Sequence, residues 1–124
     1  MTVQLEFNKA EVAQVEKDFS KVQISLEMRG VLTGAAQLLA QFLPISVLAL
    51  KGFIAMALRD AQLQEKVDMA NFMQLPRETK MKLDKIMYDF LYEKLAKVLV
   101  RPEQKQLLKE ALKQGHEYGS KFLR

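Results

Sequence analysis

The most constraining feature of this sequence is a run of 20 residues without a charge, from Val31 to Leu50. A run of that length is long enough to cross a bilayer as one helix. However, Gln37 and Gln41 would place polar amides in lipid, and Pro44 would break the helix past its middle. The run therefore predicts two short helices that pack on each other, and not a membrane span.

Two candidate N-cap residues, Thr33 and Ser46, set the predicted bounds of this hairpin. The expected helices cover about 34–43 and about 46–62. Both are hydrophobic almost all round, which is typical of the central pair of a helical bundle. The side chains expected to point inward are Ala36, Leu39 and Leu43 in the first helix and Val47, Leu50, Ile54, Ala57, Leu58 and Ala61 in the second.

An amphipathic helix is predicted before the hairpin, preceded by a possible extended arm over residues 1–7. Asn8 is a good N-cap, Glu11 stands at the capping-box position, and Phe7 and Val12 occupy the two positions of a hydrophobic staple. Gly30 is the expected stop. Such a helix either faces a bundle core or forms a coiled-coil seam with a partner. The apolar positions, spaced by three and four, are Val12, Val15, Phe19, Val22 and Leu26.

Two prolines divide the C-terminal half. A short helix over 63–74 precedes Pro76, a long amphipathic helix is expected over 77–100, and Pro102 opens a last helix that reaches about residue 118. The sequence thus predicts an all-α fold, a compact bundle of about five to six helices with a hydrophobic central hairpin, in one domain over 1–124. The inward face of the long helix is Leu83, Met87, Phe90, Leu91, Leu95 and Val98.

The residue types that are missing restrict the chemistry. The chain has no cysteine and one histidine, which excludes disulfides, thiolate zinc sites and sites built from several histidines. The lack of cysteine suits a reducing compartment, and the N-terminus lacks the basic-then-apolar layout of a signal peptide. A cytoplasmic protein is therefore expected.

No catalytic set is found in the sequence. The single histidine, His116, suggests no triad, and it is expected to be a surface or cap residue. Neither carboxylate pair, Glu16 with Asp18 or Asp84 with Asp89, is expected in an apolar setting that would separate two pKa values. No glycine-rich phosphate loop is present either. We therefore expect a protein that is not an enzyme, with no metal site, no cofactor and no small-molecule substrate.

Positive charge is concentrated in the second half of the chain. Residues 1–62 carry six basic and six acidic residues, whereas residues 63–124 carry thirteen and nine, which accounts for the net charge of +4. At about 100° per residue, Lys105, Lys109, Lys113 and His116 share one side of the last helix, and Arg124 extends that side. We call these residues the basic stripe. Its charges recur about every 6 Å, comparable to the phosphates of a nucleic-acid strand.

The basic stripe has three interpretations. It is an ordinary solvated helix face, or a contact surface for nucleic-acid backbone, with Tyr88, Tyr92 and Tyr118 able to stack on bases where exposed, or a surface for an acidic protein partner or an anionic membrane. The second interpretation makes the chain a non-catalytic subunit of a larger nucleoprotein complex. In size and composition it is similar to small helical subunits of RNA-guided CRISPR effector complexes. The residues expected to neutralise phosphates are Lys105, Lys109, Lys113 and Arg124, with Arg77, Lys80, Lys94, Lys97 and Arg101 as a second group.

The alternative function is a helical protein–protein interaction module, such as a phage or plasmid accessory, immunity or chaperone protein. Seven methionines suit either a bundle core or an adaptable surface that packs on other protein subunits. An exposed apolar patch of Met69, Phe72 and Met73 would indicate this function.

Overall fold

The computed structural model describes residues 5–66 and 74–120, and within these ranges it contains helices and turns but no strand. The all-α prediction is confirmed. The chain forms α1 (Lys9–Ser20), α2 (Leu26–Leu39), α3 (Val47–Glu65), α4 (Arg77–Lys97) and α5 (Lys105–Ser120), with a 3-10 turn at Pro102–Gln104 before α5. Among the described residues, no helix combines the length and apolar character needed to cross a membrane.

Helix α1 begins as predicted and ends earlier than predicted. The Asn8 side chain accepts a hydrogen bond from the Glu11 N–H at 3.1 Å, which confirms the N-cap. The expected continuation to Gly30 is wrong, because the chain leaves the helix after Ser20 and Ser25 caps a new one. Val22 and Leu26, expected on the inward stripe, are 52% and 83% exposed.

Helix α2 therefore starts well before the predicted residue 34. Its N-cap is Ser25, whose hydroxyl accepts the Met28 N–H at 3.3 Å, and Thr33 and Gly30 both lie inside it. The predicted cap at Thr33 is therefore wrong. The β-branched Thr33 and the glycine Gly30 are tolerated inside α2 because burial of its other face stabilises the helix. That buried face is Leu32, Ala36 and Leu39.

Helix α3 is the centre of the bundle, and its start agrees with the prediction. The Ser46 hydroxyl accepts the Ala49 N–H at 3.1 Å, which confirms that N-cap. The expected inward residues Leu50, Ile54, Ala57, Leu58 and Ala61 are buried, whereas Val47 is partly buried. Ala36, Leu39 and Leu43 are buried as expected, although Leu43 lies beyond the end of α2. The helix continues to Glu65 and ends at Lys66, which adopts a left-handed conformation.

The predicted helix over 63–74 begins inside α3, and residues 67–73 lie outside the described residues. Met69, Phe72 and Met73 of the expected apolar patch fall in that range. Helix α4 follows Pro76, which occupies the N-cap, one residue before the predicted first-turn position. Its Leu83, Leu91 and Leu95 are fully buried, whereas Met87, Phe90 and Val98 are partly buried.

The described part of the N-terminal arm is extended and tied to the α4–α5 connection. Phe7 forms an antiparallel bridge with Leu99, the Asn8 N–H donates to the Val98 carbonyl at 2.7 Å, and the Val100 N–H donates to the Glu6 carbonyl at 3.0 Å. The Glu6 N–H donates to the buried side chain of Gln104 at 3.0 Å. The arm thus closes one end of the bundle.

The helix pairings put α1 and the α4–α5 pair on different sides of α3. Helix α3 packs against α1, α2 and α4, while α5 packs against α4 and α2. Helices α4 and α5 form an antiparallel hairpin, so that the two helices of the basic C-terminal half lie side by side, and α1 covers a different side of α3.

Candidate nucleic-acid interface

The candidate site is a groove of about 470 Å³ between α4 and α5. Each helix contributes residues three and four apart, so that each wall is one continuous helix face. We call it the α4–α5 groove. Its lining is Lys85, Tyr88, Asp89, Tyr92 and Glu93 from α4, and Lys109, Leu112, Lys113 and His116 from α5.

One end of the groove is fixed by a side-chain contact between the two helices. His116 Nε2 lies 2.7 Å from Asp84 Oδ2. The rings of His116 and Tyr88 also pack edge to face, with centroids 4.9 Å apart and planes at 71°. His116 is therefore more than a surface residue, because it holds the end of α5 against the middle of α4.

Burial changes the acid–base properties of this end of the groove. Desolvation raises the pKa of Asp84 above its ordinary value, and the nearby His116 opposes part of that rise. The expectation that this carboxylate lies in no apolar setting is therefore wrong. Burial, with a smaller contribution from the negative charge of Asp84, strongly raises the pKa of Tyr88. The phenol of Tyr88 stays neutral and presents its ring and an O–H group.

The lysines of the basic stripe are all exposed on α5. Lys109 and Lys113 line the groove, and Lys105 lies one turn earlier on the same helix. Arg124, expected to extend the stripe, lies outside the described residues. The structure thus brings two lysines of the stripe together with His116 along one wall.

The second predicted basic group does not form one cluster. Arg77 and Lys80 lie in the first turn of α4, whereas Lys94 and Lys97 lie in its last turn, about 20–30 Å away along the axis. Lys94 Nζ sits 5.3 Å from the centroid of the Phe90 ring. Arg101 Nη2 lies 3.6 Å from Glu6 Oε1, with both side chains more than half exposed. None of these five residues lines the groove.

Acidic residues face the stripe across the groove. The sequence shows no acid on the stripe itself, but the tertiary structure adds Asp89 and Glu93 of α4 to the opposite wall. The lining therefore carries three lysines and two carboxylates. Its net positive charge is smaller than the lysines of the basic stripe alone suggest.

The three tyrosines separate into two places. Tyr88 and Tyr92 are both partly exposed and line the groove. Tyr118 is 40% exposed and packs against Phe42, with centroids 6.1 Å apart, on the side that faces α2. Only the first two are placed to meet a ligand beside the lysines of the groove.

The described residues contain no cluster of three or more His, Asp or Glu side chains that could hold a metal ion. Comparisons with protein-family models, with curated proteins and with solved structures each returned no match. Function is therefore inferred from the geometry of the groove.

The sequence did not predict Asp84 as the partner of His116, nor Lys85, Asp89 and Glu93 as part of the groove. The signal was present in the spacing, because Lys85, Asp89 and Tyr92 fall on the same face of α4 as Tyr88. What the spacing did not contain was the register of α5 against α4.

Proposed function

We propose that the protein is a non-catalytic helical subunit of a larger nucleoprotein complex, which contacts nucleic-acid backbone through the α4–α5 face. The observation that carries this proposal is the row of exposed lysines on α5, two of which line a groove with aromatic residues. Lysines on phosphates carry no base information, so this contact is independent of sequence.

The distribution of charge along the chain agrees with a contact on this part of the molecule. The excess of basic over acidic residues lies entirely in residues 63–124, which include α4 and α5. Each neutralised phosphate releases a counterion, which makes affinity fall linearly with salt on logarithmic axes, with a slope of about 0.7–0.9 per contact.

The test is binding of labelled single-stranded RNA, single-stranded DNA and duplex DNA, followed by fluorescence anisotropy at about 50 mM and about 200 mM salt. The variant Lys105→Glu, Lys109→Glu, Lys113→Glu should bind at least tenfold more weakly and show a smaller salt slope. The matched control is Lys9→Glu, Lys17→Glu, Lys21→Glu, which makes the same charge change at exposed positions on and next to α1.

Circular dichroism and thermal unfolding establish that both triple variants remain folded. Absence of binding by the parent protein even at low salt would contradict the proposal. Equal weakening by the two triple variants would also contradict it, because it would show attraction by net charge and not by this face.

A second candidate function is a helical protein-interaction module. The observation that favours it is a set of exposed apolar side chains on one side of α3: Leu48 at 41%, Met56 at 39% and Leu63 at 70%. Val22, 52% exposed, lines a small groove with Met56 between α1 and α3. Such a surface suits self-association.

Sedimentation velocity over a range of protein concentrations tests this second candidate. Self-association through α3 should raise the mass with concentration, and Met56→Glu with Leu63→Glu should restore a monomer. A parent protein that stays monomeric at all concentrations would contradict self-association through α3.

A further inference from the structure

The two walls of the α4–α5 groove differ in the sign of their charge. The α5 wall presents Lys109 and Lys113, whereas Asp89 and Glu93 stand one turn apart on the α4 wall. Lys85 lies one turn before Asp89, towards the end that holds His116. The groove is therefore polarised across its width and not uniformly basic.

An aromatic surface lies between these walls. Tyr88 and Tyr92 are one turn apart on α4 and partly exposed. The rings of Tyr88 and His116 pack edge to face, and the Tyr88 hydroxyl would lie at an ordinary contact distance, 3.9 Å, from a Cβ on Gly115. The same Cβ would stand 2.8 Å from Leu39 Cδ2, so the glycine permits the close approach of α5 to α2.

We propose that the α4–α5 groove binds single-stranded nucleic acid in one orientation, with its phosphates along Lys109 and Lys113 and its bases over Tyr88 and Tyr92. In this orientation Asp89 and Glu93 accept hydrogen bonds from exocyclic amino groups of the bases. This inference rests on the proposed function and adds the strand type and the base preference.

The preference for a single strand follows from the aromatic surface. Bases in a duplex are stacked on one another and paired, whereas unpaired bases can stack on an aromatic side chain. The groove volume of about 470 Å³ lies within the range of about 300–1,000 Å³ that pockets for small ligands occupy. A nucleotide unit of a strand is a ligand of that kind.

The base preference follows from the acidic wall. An ionised carboxylate is only an acceptor of hydrogen bonds, and the cytosine amino group is a donor that Asp and Glu recognise. Uracil has no exocyclic amine; it carries a carbonyl oxygen at the position of the cytosine amino group, and its one base-edge donor is the ring N3–H between two carbonyls. The acidic wall should therefore favour cytosine over uracil. Its negative charge should also weaken binding of a strand that contacts the protein only through its phosphates.

The experiment compares labelled oligocytidine, oligouridine and an RNA duplex of equal length on the full chain. Oligocytidine should bind about tenfold more tightly than oligouridine, because the carboxylates accept a hydrogen bond from the cytosine amino group and repel the carbonyl oxygen that uracil carries in its place. Tyr92→Leu, which keeps apolar bulk, should weaken single-strand binding at least fivefold. Tyr118→Ala is the matched control because Tyr118 lies outside the groove.

A second variant tests the acidic wall independently of stacking. Asp89→Asn with Glu93→Gln should remove the preference for cytosine while raising affinity for oligouridine, since two repulsive charges are lost. Glu103→Gln with Glu110→Gln makes the same charge change at exposed positions outside the groove and should retain the preference.

The outcomes separate this inference from the proposed function. Salt-sensitive binding that treats single strands and duplex alike, or that is unchanged in Tyr92→Leu, would overturn the inference and leave the backbone contact standing. Absence of salt-sensitive binding to any nucleic acid would overturn both.

Discussion

Asp84 and His116, on two different helices, meet side chain to side chain at 2.7 Å and connect the middle of α4 to the C-terminal half of α5. Asp84 is the more enclosed partner, with 22% of its side chain exposed against 41% for His116. The pair closes one end of the α4–α5 groove and couples the stability of the hairpin to the protonation of a partly buried carboxyl group.

The stability contributed by Asp84 should depend on pH. Burial raises the pKa of Asp84 in the folded protein above its value in the unfolded chain, so the folded state retains this proton more readily. This contribution is therefore greatest in acid and is lost as the pH rises through the folded pKa. The variant Asp84→Asn, which has no carboxyl group to ionise, should therefore gain stability relative to the parent as the pH rises above about 3.8, the ordinary pKa of aspartate, measured by urea unfolding.

A His116→Gln background provides the control for this prediction. His116 lowers the pKa of Asp84, so its replacement should raise that pKa further. The stability difference between the Asp84→Asn variant and its parent should then change more with pH in the His116→Gln background than in the unaltered chain. A difference that does not vary with pH in either background would show that Asp84 is not desolvated.

Gly52 allows α1 to lie close against α3. A Cβ at Gly52 would stand 2.7 Å from Val15 Cγ1 and 3.4 Å from the Val15 carbonyl oxygen. Gly52→Ala should therefore destabilise the protein by about 1–3 kcal/mol, although alanine is the better helix former. In Gly30→Ala the new Cβ meets nothing within 4 Å, and stability should rise by about 0.5–1 kcal/mol. Chemical denaturation measures both, and equal effects would contradict the close approach of the helices.

Gln104 should anchor the N-terminal arm. Its side chain is 5% exposed and accepts the Glu6 N–H at 3.0 Å. Gln104→Ala leaves that donor without this partner and should reduce the free energy of unfolding by about 1–3 kcal/mol. Faster hydrogen exchange at the Glu6 amide reports the same loss locally. The exposed Gln106→Ala is the matched control, and an unchanged exchange rate in Gln104→Ala would argue against the anchor.

Two leucines of α2 should respond differently to truncation. Leu32 is 1% exposed, and Leu32→Ala should cost about 2–5 kcal/mol through lost burial and the cavity left behind. Leu26 is 83% exposed, and Leu26→Ala should change stability by at most about 0.5 kcal/mol. Urea denaturation distinguishes them, and a large loss in Leu26→Ala would restore the sequence-based assignment of Leu26 to a buried stripe.

The sequence correctly predicted the two helix starts at which a capping side chain accepts a hydrogen bond from a backbone N–H three residues later. Asn8 and Ser46 cap α1 and α3 as expected, since such a hydrogen bond spans three residues and needs no tertiary partner. The break after Ser20 was missed because the apolar spacing continues through Val22 and Leu26 even though those side chains face solvent. Periodicity identifies a helix face but does not say whether another element covers it.

The candidate site was likewise predicted in part from neighbouring residues and decided in part by the packing of distant ones. The sequence by itself determined the all-α fold, the central hairpin and the basic stripe, because helix propensity, caps and charge spacing are properties of neighbouring residues. Only the tertiary structure decided that Lys109 and Lys113 face Asp89 and Glu93, and that His116 meets Asp84. The physical reason is that the register between two packed helices is set by how their buried leucines fit together, over separations along the chain that no local pattern encodes.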